Sequence, residues 1–304
     1  MDKAVIRRAG VEDTEEILAM LREMDSNDYL QYAWPIWIRD SEAVELVAVV
    51  EEGRIAGCIH GRLSNGQNGW AQGLRVRADL RRRGIATSLI ANLERELCGK
   101  GARTVFATIS RFNQPSLATV AKLNWKVVLS VIRRRLDAGS VRSVVKNHSS
   151  ENRSLPDLHE ISRIVRQGGI LASRRATAFF KRVYFSMTDE FLQGALAAGV
   201  VRTNVFPAAL AILDPEPAEN EGLWVIALSG PVSGLTPLFV NLAAEAARNE
   251  LDLIVDGSDE PEIQAVLDDL GFATAGKGEQ FVVVKKELLF PSFRAGGNRQ
   301  CEDV

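Results

Sequence analysis

Three consecutive arginines followed by a glycine form the segment of this sequence best suited to bind an anionic ligand. The segment reads Arg81-Arg82-Arg83-Gly84-Ile85-Ala86 and lies between a predicted strand that ends at Val76 and a predicted helix that begins near Thr87. Backbone N–H groups converge at such a connection and the helix dipole adds positive charge, which suits a phosphate or diphosphate. The glycine lets the backbone approach a ligand closely. A solvated basic turn is the alternative, but the placement between strand and helix favours phosphate binding.

This loop resembles the cofactor loop of the GNAT superfamily of N-acetyltransferases, whose pattern is Arg/Gln-x-x-Gly-x-Gly/Ala. The similarity continues through Leu74-Arg75-Val76 before the loop and Asn113-Gln114-Pro115-Ser116 after the next strand. It ends at Lys122-Leu123-Asn124-Trp125, which is similar to the family's closing Lys-Leu-Gly-Phe. The resemblance covers nearly all of residues 1–137. It implies an enzyme that uses acetyl-CoA.

The resemblance also implies how acetyl-CoA is held. The backbone amides of residues 83–87 would bind the pyrophosphate, and the main chain of Leu74 and Val76 would bind the pantetheine arm as an added strand. Those two amides would also polarise the thioester carbonyl. Asn113, assisted by Ser116, would contact the pantetheine amides; capping of the helix after Pro115 is the alternative, and both roles are compatible. The implied set is Leu74, Val76, Arg81, Arg82, Arg83, Gly84, Ile85, Ala86, Thr87, Asn113 and Ser116.

The catalytic groups depart from the family pattern. Many members carry a proton-donating tyrosine four residues before the closing glycine, and this chain has Val120 there. The thiolate of CoA is already a good leaving group, so the reaction remains open. Strand alternation places Gln72 where an acidic base would stand, and an amide cannot take a proton. His60, on the neighbouring strand, has a suitable pKa for a base, although a structural role is the alternative.

An aromatic segment follows the first predicted helix, where family members build the acceptor pocket. Tyr29, Tyr32 and Trp34 are expected to wall such a pocket, whereas Ile36 and Trp37 are expected in the core. The candidates for a catalytic contribution are His60, Gln72 and Tyr29; Asp28 or Glu23 acting through water, or an amine that arrives neutral, are further alternatives.

The aromatic segment and a later predicted strand, residues 70–76, are similar to histidine N-acetyltransferase-like enzymes, which acetylate a free amino acid on its α-amine. This similarity implies a small-molecule amine acceptor. No nucleophilic Cys or Ser constellation accompanies the loop, which favours direct attack of the amine. Two alternatives remain: transfer to a protein lysine or N-terminus, and a non-catalytic acyl-CoA sensor or scaffold.

The length of 304 residues favours two domains. Landmarks recur in the second half, because Gly84 precedes Asn124 by 40 positions and Gly234 precedes Gly271 by 37. We therefore predict an α/β (α+β) chain of two tandem GNAT-like domains, each a mixed, mostly antiparallel sheet flanked by helices. The second is degenerate, because Ser229–Thr236 lacks the leading Arg or Gln and Asp259-Glu260-Pro261 replaces Asn113-Gln114-Pro115.

The predicted boundaries are an acetyl-CoA-binding domain at 1–137, a degenerate domain at 141–290 and a disordered tail at 291–304. Residues 137–140 are predicted to be a linker, Val141–Val145 a strand, and Thr236-Pro237 the start of a helix. A further helix is predicted around Leu158, Ile161, Ile164 and Val165.

Composition excludes several other classes. The formal net charge of −2 gives no sign of a nucleic-acid or acidic-membrane partner. No apolar run is long enough for a signal peptide or a membrane span. Three cysteines are too few and too scattered for a zinc site, so no metal is expected. The sequence is thus typical of a cytoplasmic enzyme, as a monomer or homodimer.

Overall fold

The computed structural model describes residues 4–65, 67–147, 159, 161, 163–164, 177–180, 183–186, 189–205, 208–214, 222–273 and 276–288. The chain divides into two compact units. The first comprises Met1–Ile109, Asn113–Val128 and Val284–Val304, and the second comprises Ser110–Phe112 and Leu129–Val283. No helix among the described residues has the length and apolar character required to cross a membrane.

Up to Lys122, the first unit contains five strands and four α-helices among its described residues. Its elements are β1 (Val5–Arg8), α1 (Thr14–Met24), α2 (Leu30–Trp37), β2 (Val44–Val49), β3 (Ile55–Asn65), β4 (Asn68–Val76), α3 (Ile85–Gly99), β5 (Thr104–Ser110, in this unit up to Ile109) and α4 (Gln114–Lys122). Short 3-10 turns lie at Val11–Asp13, Glu51–Gly53 and Ala78–Leu80. The predicted aromatic segment is therefore the helix α2.

The sheet of the first unit runs β1-β2-β3-β4-β5. The first three pairings are antiparallel, and β4 pairs with β5 in parallel. The parallel register extends only from Asn68↔Thr104 to Trp70↔Phe106. After Trp70, the described part of β4 has no further partner on β5. The C-terminal half of β4 therefore has one edge that is open to an extended ligand.

A β-bulge changes the direction of β4 at this point. Opposite β3, the register changes between Cys58↔Arg75 and His60↔Gln72, so β4 has one extra residue. Gly73 has φ +70, and a Cβ there would lie 3.0 Å from the Trp37 ring. Glycine is required at this position for both its backbone conformation and the space that it leaves.

Apolar side chains of α1 and α2 cover one face of this sheet. Ile17, Leu21, Leu30 and Trp34 are fully buried and pack with strand residues such as Cys58. Burial of each such side chain contributes roughly 1.5–3 kcal/mol to the free energy of unfolding. This packing fixes the α1–α2 connection beside the bulge.

The second unit contains a sheet with the order β6-β12-β11-β10-β9 and a separate β7-β8 hairpin. Its strands are β6 (Lys126–Leu136, in this unit from Leu129), β7 (Thr177–Phe180), β8 (Val183–Ser186), β9 (Val201–Val205), β10 (Ala208–Leu213), β11 (Leu223–Ser229) and β12 (Leu253–Ser258). Its helices are α5 (Ala138–Asn147), α6 (Asp189–Ala197), α7 (Val232–Arg248) and α8 (Pro261–Asp269), and a 3-10 turn lies at Lys277–Glu279. Among the described strands of the second unit, β11 and β12 pair in parallel and the other pairings are antiparallel. The sheets of both units are therefore mixed and mostly antiparallel, as predicted.

Two local predictions in the second half were wrong. The predicted linker and the strand at Val141–Val145 are one helix, α5, because Asp137 accepts hydrogen bonds from the backbone of Gly139 and Ser140 and starts a helical turn. Helix α7 begins at Val232, not at Thr236. Its N-cap is Pro231, which has an extended backbone, and the residues from Val232 onward are helical. The predicted helix around Leu158 lies largely outside the described residues, and so does the predicted tail.

The last strand, β13 (Gln280–Glu287), contributes to both units. Residues from Val284 onward belong to the first unit. There the Leu288 N–H donates to the Arg103 carbonyl over 2.7 Å, and the Thr104 hydroxyl donates to Glu287 over 2.8 Å.

The landmarks that indicated a repeat have the same local structure. Helix α4 ends with Asn124 at φ 62, and the Trp125 N–H donates back to Val120 over 3.0 Å. Helix α8 ends with Gly271 at φ 80, and the Phe272 N–H donates back to Leu267 over 3.0 Å. Both are Schellman-type ends, which require a left-handed residue after the helix.

Candidate active site

A cleft of about 1150 Å³ lies within the first unit. Its walls come from the α1–α2 connection, the end of β4, the arginine loop and the start of α4. Pockets for drug-sized ligands occupy roughly 300–1,000 Å³, so this cleft has room for a larger molecule or for two ligands together.

The arginine loop forms one wall of the cleft. Arg82 has φ 63 and Gly84 has φ 80, both in the left-handed region. Such a conformation costs a non-glycine residue of order 1–3 kcal/mol and is frequent at ligand clamps. A Cβ on Gly84 would meet no atom within 4 Å, so the space beside this glycine is open. The loop therefore has the geometry of a cradle rather than of a packed turn.

Helix α3 begins at this cradle without a side-chain cap. The first N–H groups of a helix have no partner within it, and they carry the positive end of its dipole. Ile85, Ala86 and Thr87 provide these groups and line the cleft. The donor set of uncapped amides with nearby arginines fits a diphosphate.

The open edge of β4 forms the next wall. Leu74 and Val76 both line the cleft, in the part of β4 that has left β5. Main-chain groups of an unpaired strand edge bind extended ligands by the hydrogen-bonding pattern of a sheet. The pantetheine arm of CoA, which carries amide groups, fits this edge.

The start of α4 closes the cleft. Asn113 is the N-cap of this helix, and its Oδ1 accepts from the Ser116 N–H over 3.2 Å. Both residues also line the cleft. Their capping role is thus compatible with contact to a ligand. Of the eleven residues predicted for the cofactor, all except Arg83 line the cleft.

The α1–α2 connection brings an ion pair to the cleft that the sequence did not predict. Asp28 accepts from Arg75 Nε over 2.6 Å and from Arg75 Nη2 over 3.0 Å. The Arg75 guanidinium lies 5.7 Å from the centroid of the Tyr29 ring. All three residues line the cleft. Asp28 and Arg75 are 47 positions apart, and nothing in their sequence context marks them as partners.

The pKa of Arg75 reflects this pair. Burial disfavours the charge, but the hydrogen bonds and negative charge of Asp28 outweigh burial and raise the pKa of Arg75 above its ordinary value. Arg75 therefore keeps its positive charge throughout the physiological pH range.

The other two catalytic candidates lie elsewhere. His60 is buried, stacks on Trp37 at 4.1 Å and contacts Glu45 Oε1 through Nδ1 at 2.7 Å. Gln72 accepts from the indole N–H of Trp70 over 3.2 Å. Neither residue belongs to the cleft lining, whereas Tyr29 does.

The residues of the aromatic segment are also distributed between core, cleft and solvent differently from the prediction. Trp34 is fully buried in the core, Tyr32 is 79% exposed outside the cleft, and Ile36, predicted in the core, is 72% exposed. Helical geometry explains this, because Leu30, Trp34 and Trp37 share the face of α2 that contacts the sheet and Ile36 does not.

The equivalent connection in the second unit has no cradle. Eight residues separate β4 from α3, but only Gly230 and Pro231 separate β11 from α7. A Cβ on Gly230 would lie 2.7 Å from the Ala208 carbonyl oxygen and from the Ala209 Cα. The space next to Gly230 is therefore filled by β10, whereas the space next to Gly84 is open.

Comparison with known proteins agrees with this geometry. Residues 11–125 match the model of the acetyltransferase (GNAT) family. None of the curated proteins matches the sequence. The chain is similar to the structure of a GCN5-related N-acetyltransferase from Sphaerobacter thermophilus, at 14% identity and TM-score 0.54, over 94% of this chain and 96% of that one.

A second solved structure similar to this chain is a tandem GNAT protein from the clavulanic acid biosynthesis pathway. Identity is 13% and the TM-score is 0.52, over 94% of this chain and 98% of that one. These identities show a shared fold and no more. The family match identifies residues 11–125 as a domain of the acetyltransferase (GNAT) family, and the whole chain shares its fold with a tandem GNAT protein.

Proposed function

We propose that the first unit transfers the acetyl group of acetyl-CoA to the primary amine of a small molecule, with free amino acids as the leading class. One observation carries the proposal. The uncapped start of α3, the left-handed loop at Gly84 and the open edge of β4 line a single cleft.

In this proposal each wall of the cleft has a separate task. The amides of Gly84 to Thr87 bind the pyrophosphate, and Arg81 and Arg82 add positive charge. Leu74 and Val76 align the pantetheine arm, with Asn113 and Ser116 on the opposite side. Acetyl-CoA, when bound, supplies the thioester whose carbonyl carbon the amine attacks. The β4 amides would polarise that carbonyl.

Direct attack by the amine is favoured over an acyl-enzyme route. Cys58 is a buried free cysteine near this strand, and burial raises the pKa of its thiol to about 12. A thiol with this pKa is protonated at neutral pH and is not a nucleophile. Attack by a neutral amine requires no such intermediate.

The α1–α2 connection forms the acceptor side of the cleft. Tyr29 lies there with Asp25 and Asp28, so an approaching amine meets an aromatic ring and carboxylates. An aromatic ring next to carboxylates suits a small molecule that carries an amine. With His60 and Gln72 outside the lining, Tyr29 is the one predicted catalytic candidate positioned to contact the acceptor.

Thiol release tests the proposal. Purified protein is mixed with acetyl-CoA and, in turn, with each amino acid and a set of polyamines, and free CoA is followed with a thiol reagent. We expect amine-dependent release and an N-acetyl product by mass spectrometry. Binding of acetyl-CoA with no release in any mixture would contradict the proposal and favour the non-catalytic sensor.

A further inference from the structure

The Arg75 guanidinium retains hydrogen-bonding capacity that faces the cleft. Arginine has five N–H groups. Nε and Nη2 donate to Asp28, and Nη1 donates to the Leu74 carbonyl over 3.0 Å. One N–H on each terminal nitrogen therefore has no partner among the described residues. Because the side chain is 28% exposed and lines the cleft, a ligand can reach these two groups.

The surroundings hold this guanidinium in place before any ligand arrives. Asp28 is 5% exposed and binds Arg75 through both oxygens, while its Oδ1 also accepts from the Leu30 N–H over 3.1 Å. The Tyr29 ring contacts the guanidinium, and the Trp37 ring meets Tyr29 edge-on at 6.3 Å. A buried ion pair is costly to form. A guanidinium fixed in this way loses little conformational entropy when it binds a second anion.

Arg75 also lies next to the groups that align the reacting atoms. It is between Leu74 and Val76 on β4, and its Nη1 donates a hydrogen bond to the Leu74 carbonyl. An anion bound there is therefore close to the strand edge where the amine must approach. The pyrophosphate cradle is at the other end of the connection, beyond Val76.

Resting on the proposed function, we propose that Arg75 binds the carboxylate of the acceptor, so that the substrate is an amine bearing a carboxylate, such as an amino acid. Two N–H groups in the plane of one guanidinium match the geometry of a carboxylate. Asp25 and Asp28 line the same cleft and complement the amino group of such a molecule. Asp28 is then a positioning residue, because it acts through Arg75. A polyamine, which has only positive charges, would leave the two N–H groups unused.

Paired acceptors test this proposal. Each amino acid is compared with its own α-amide, which has the same amine and side chain but no carboxylate. We expect a kcat/KM ratio of about 10- to 100-fold in favour of the acid, the range for a charge-assisted hydrogen-bonded pair. In the variant Arg75→Gln/Asp28→Asn, which avoids an uncompensated buried carboxylate, the ratio should fall to about one. Arg54→Gln/Asp79→Asn, which removes an Arg–Asp pair of the protein surface outside the cleft lining, should leave it unchanged.

A binding measurement keeps the test independent of turnover. N-acetyl amino acids and N-acetyl amino acid amides are titrated into the CoA-bound protein by calorimetry. We expect the acids to bind more tightly in the wild type and equally in the Arg75→Gln/Asp28→Asn variant. Equal binding of acids and amides in the wild type, or an unchanged preference in that folded variant, would overturn the proposal. If thiol release with amines persists in that case, the proposed function stands and only the role of Arg75 fails.

Discussion

At the residue scale, the proposed binding of acetyl-CoA depends on Gly84. The same left-handed conformation occurs at Gly53 in the β2–β3 turn, where φ is also +80 and a Cβ would also meet no atom within 4 Å. The two glycines therefore share a backbone conformation and have open space where a Cβ would lie. They differ in one respect, because Gly84 borders the cleft and Gly53 does not.

We predict that Gly84→Ala lowers the affinity for CoA at least 10-fold. Gly53→Ala should leave the affinity unchanged. Each substitution should destabilise the fold by a similar amount, about 1–2 kcal/mol, because each places a Cβ in the left-handed region. Calorimetric titration with CoA and thermal unfolding of both variants provide the check. Equal CoA affinities for the two variants would remove the loop from the binding site.

Asp13 provides a second residue-scale prediction. Its carboxylate accepts from two nitrogens of Arg7 at 2.7 and 2.8 Å and from the Gly10 N–H at 2.8 Å. The Arg7 hydrogen bonds, aided by Gly10, lower the pKa of Asp13 although burial opposes them. A lowered folded-state pKa stabilises the fold above the unfolded value of about 3.9, and this contribution is lost as the pH falls through the folded-state pKa.

Asp13→Asn should therefore destabilise the protein at pH 7, and the difference should be smaller at pH 2.5, which lies below the ordinary aspartate pKa. The expected loss at pH 7 is about 1 kcal/mol, because the half-exposed Arg7 remains partly screened by solvent. Midpoints of thermal unfolding are compared at both pH values. A gap between wild type and variant that is as large at pH 2.5 as at pH 7 would contradict this assignment.

At the element scale, the end of β13 stabilises the first unit. Glu94 on α3 is buried and accepts from the Trp125 indole over 2.7 Å and from the Lys286 ammonium over 2.5 Å. Trp125 belongs to the closing motif of the first half, whereas Lys286 comes from the end of the second. Removal of one partner leaves a buried carboxylate without its countercharge.

We predict that Lys286→Gln lowers the free energy of unfolding by about 2 kcal/mol, less than for a fully buried pair because Lys286 is 25% exposed. Lys285→Gln is the control in the same strand. Lys285 pairs with Glu287, which is 63% exposed, so its loss should cost under about 1 kcal/mol. Urea unfolding compares the two variants, and equal losses would contradict a specific role for Glu94.

Periodicity in the sequence predicted most of these elements, but not their partners. Alternating and helical patterns are local, so β2 to β5 and α3 were predictable near their true ends. The contact of Lys286 with Glu94 joins residues 192 positions apart, and no local pattern contains it. The same applies to Asp28 and Arg75. The strand at Val141–Val145 was mispredicted because Val141, Val144 and Val145 fit a short strand as well as one helical face.

At the scale of the whole molecule, the two units have similar helix ends and mixed sheets, and the first unit contains the cleft. The Schellman ends after α4 and α8 are equivalent, and both sheets are mixed. The connection after β4 is six residues longer than the connection after β11. The longer connection leaves open space next to Gly84, whereas the space next to Gly230 is filled. The arginines before Gly84 are visible in the sequence, but the short connection after β11 is not, because the helix was predicted to begin at Thr236 and begins at Val232.

The number of acetyl-CoA molecules bound per chain tests whether the cofactor binds only in the cleft of the first unit. Isothermal titration calorimetry of the full chain should give one site per chain, and Gly84→Glu should abolish it, because a carboxylate would then occupy the phosphate cradle. Gly53→Glu should keep one site. Two sites per chain, or one site that survives Gly84→Glu in a folded protein, would contradict the assignment of cofactor binding to the cleft of the first unit.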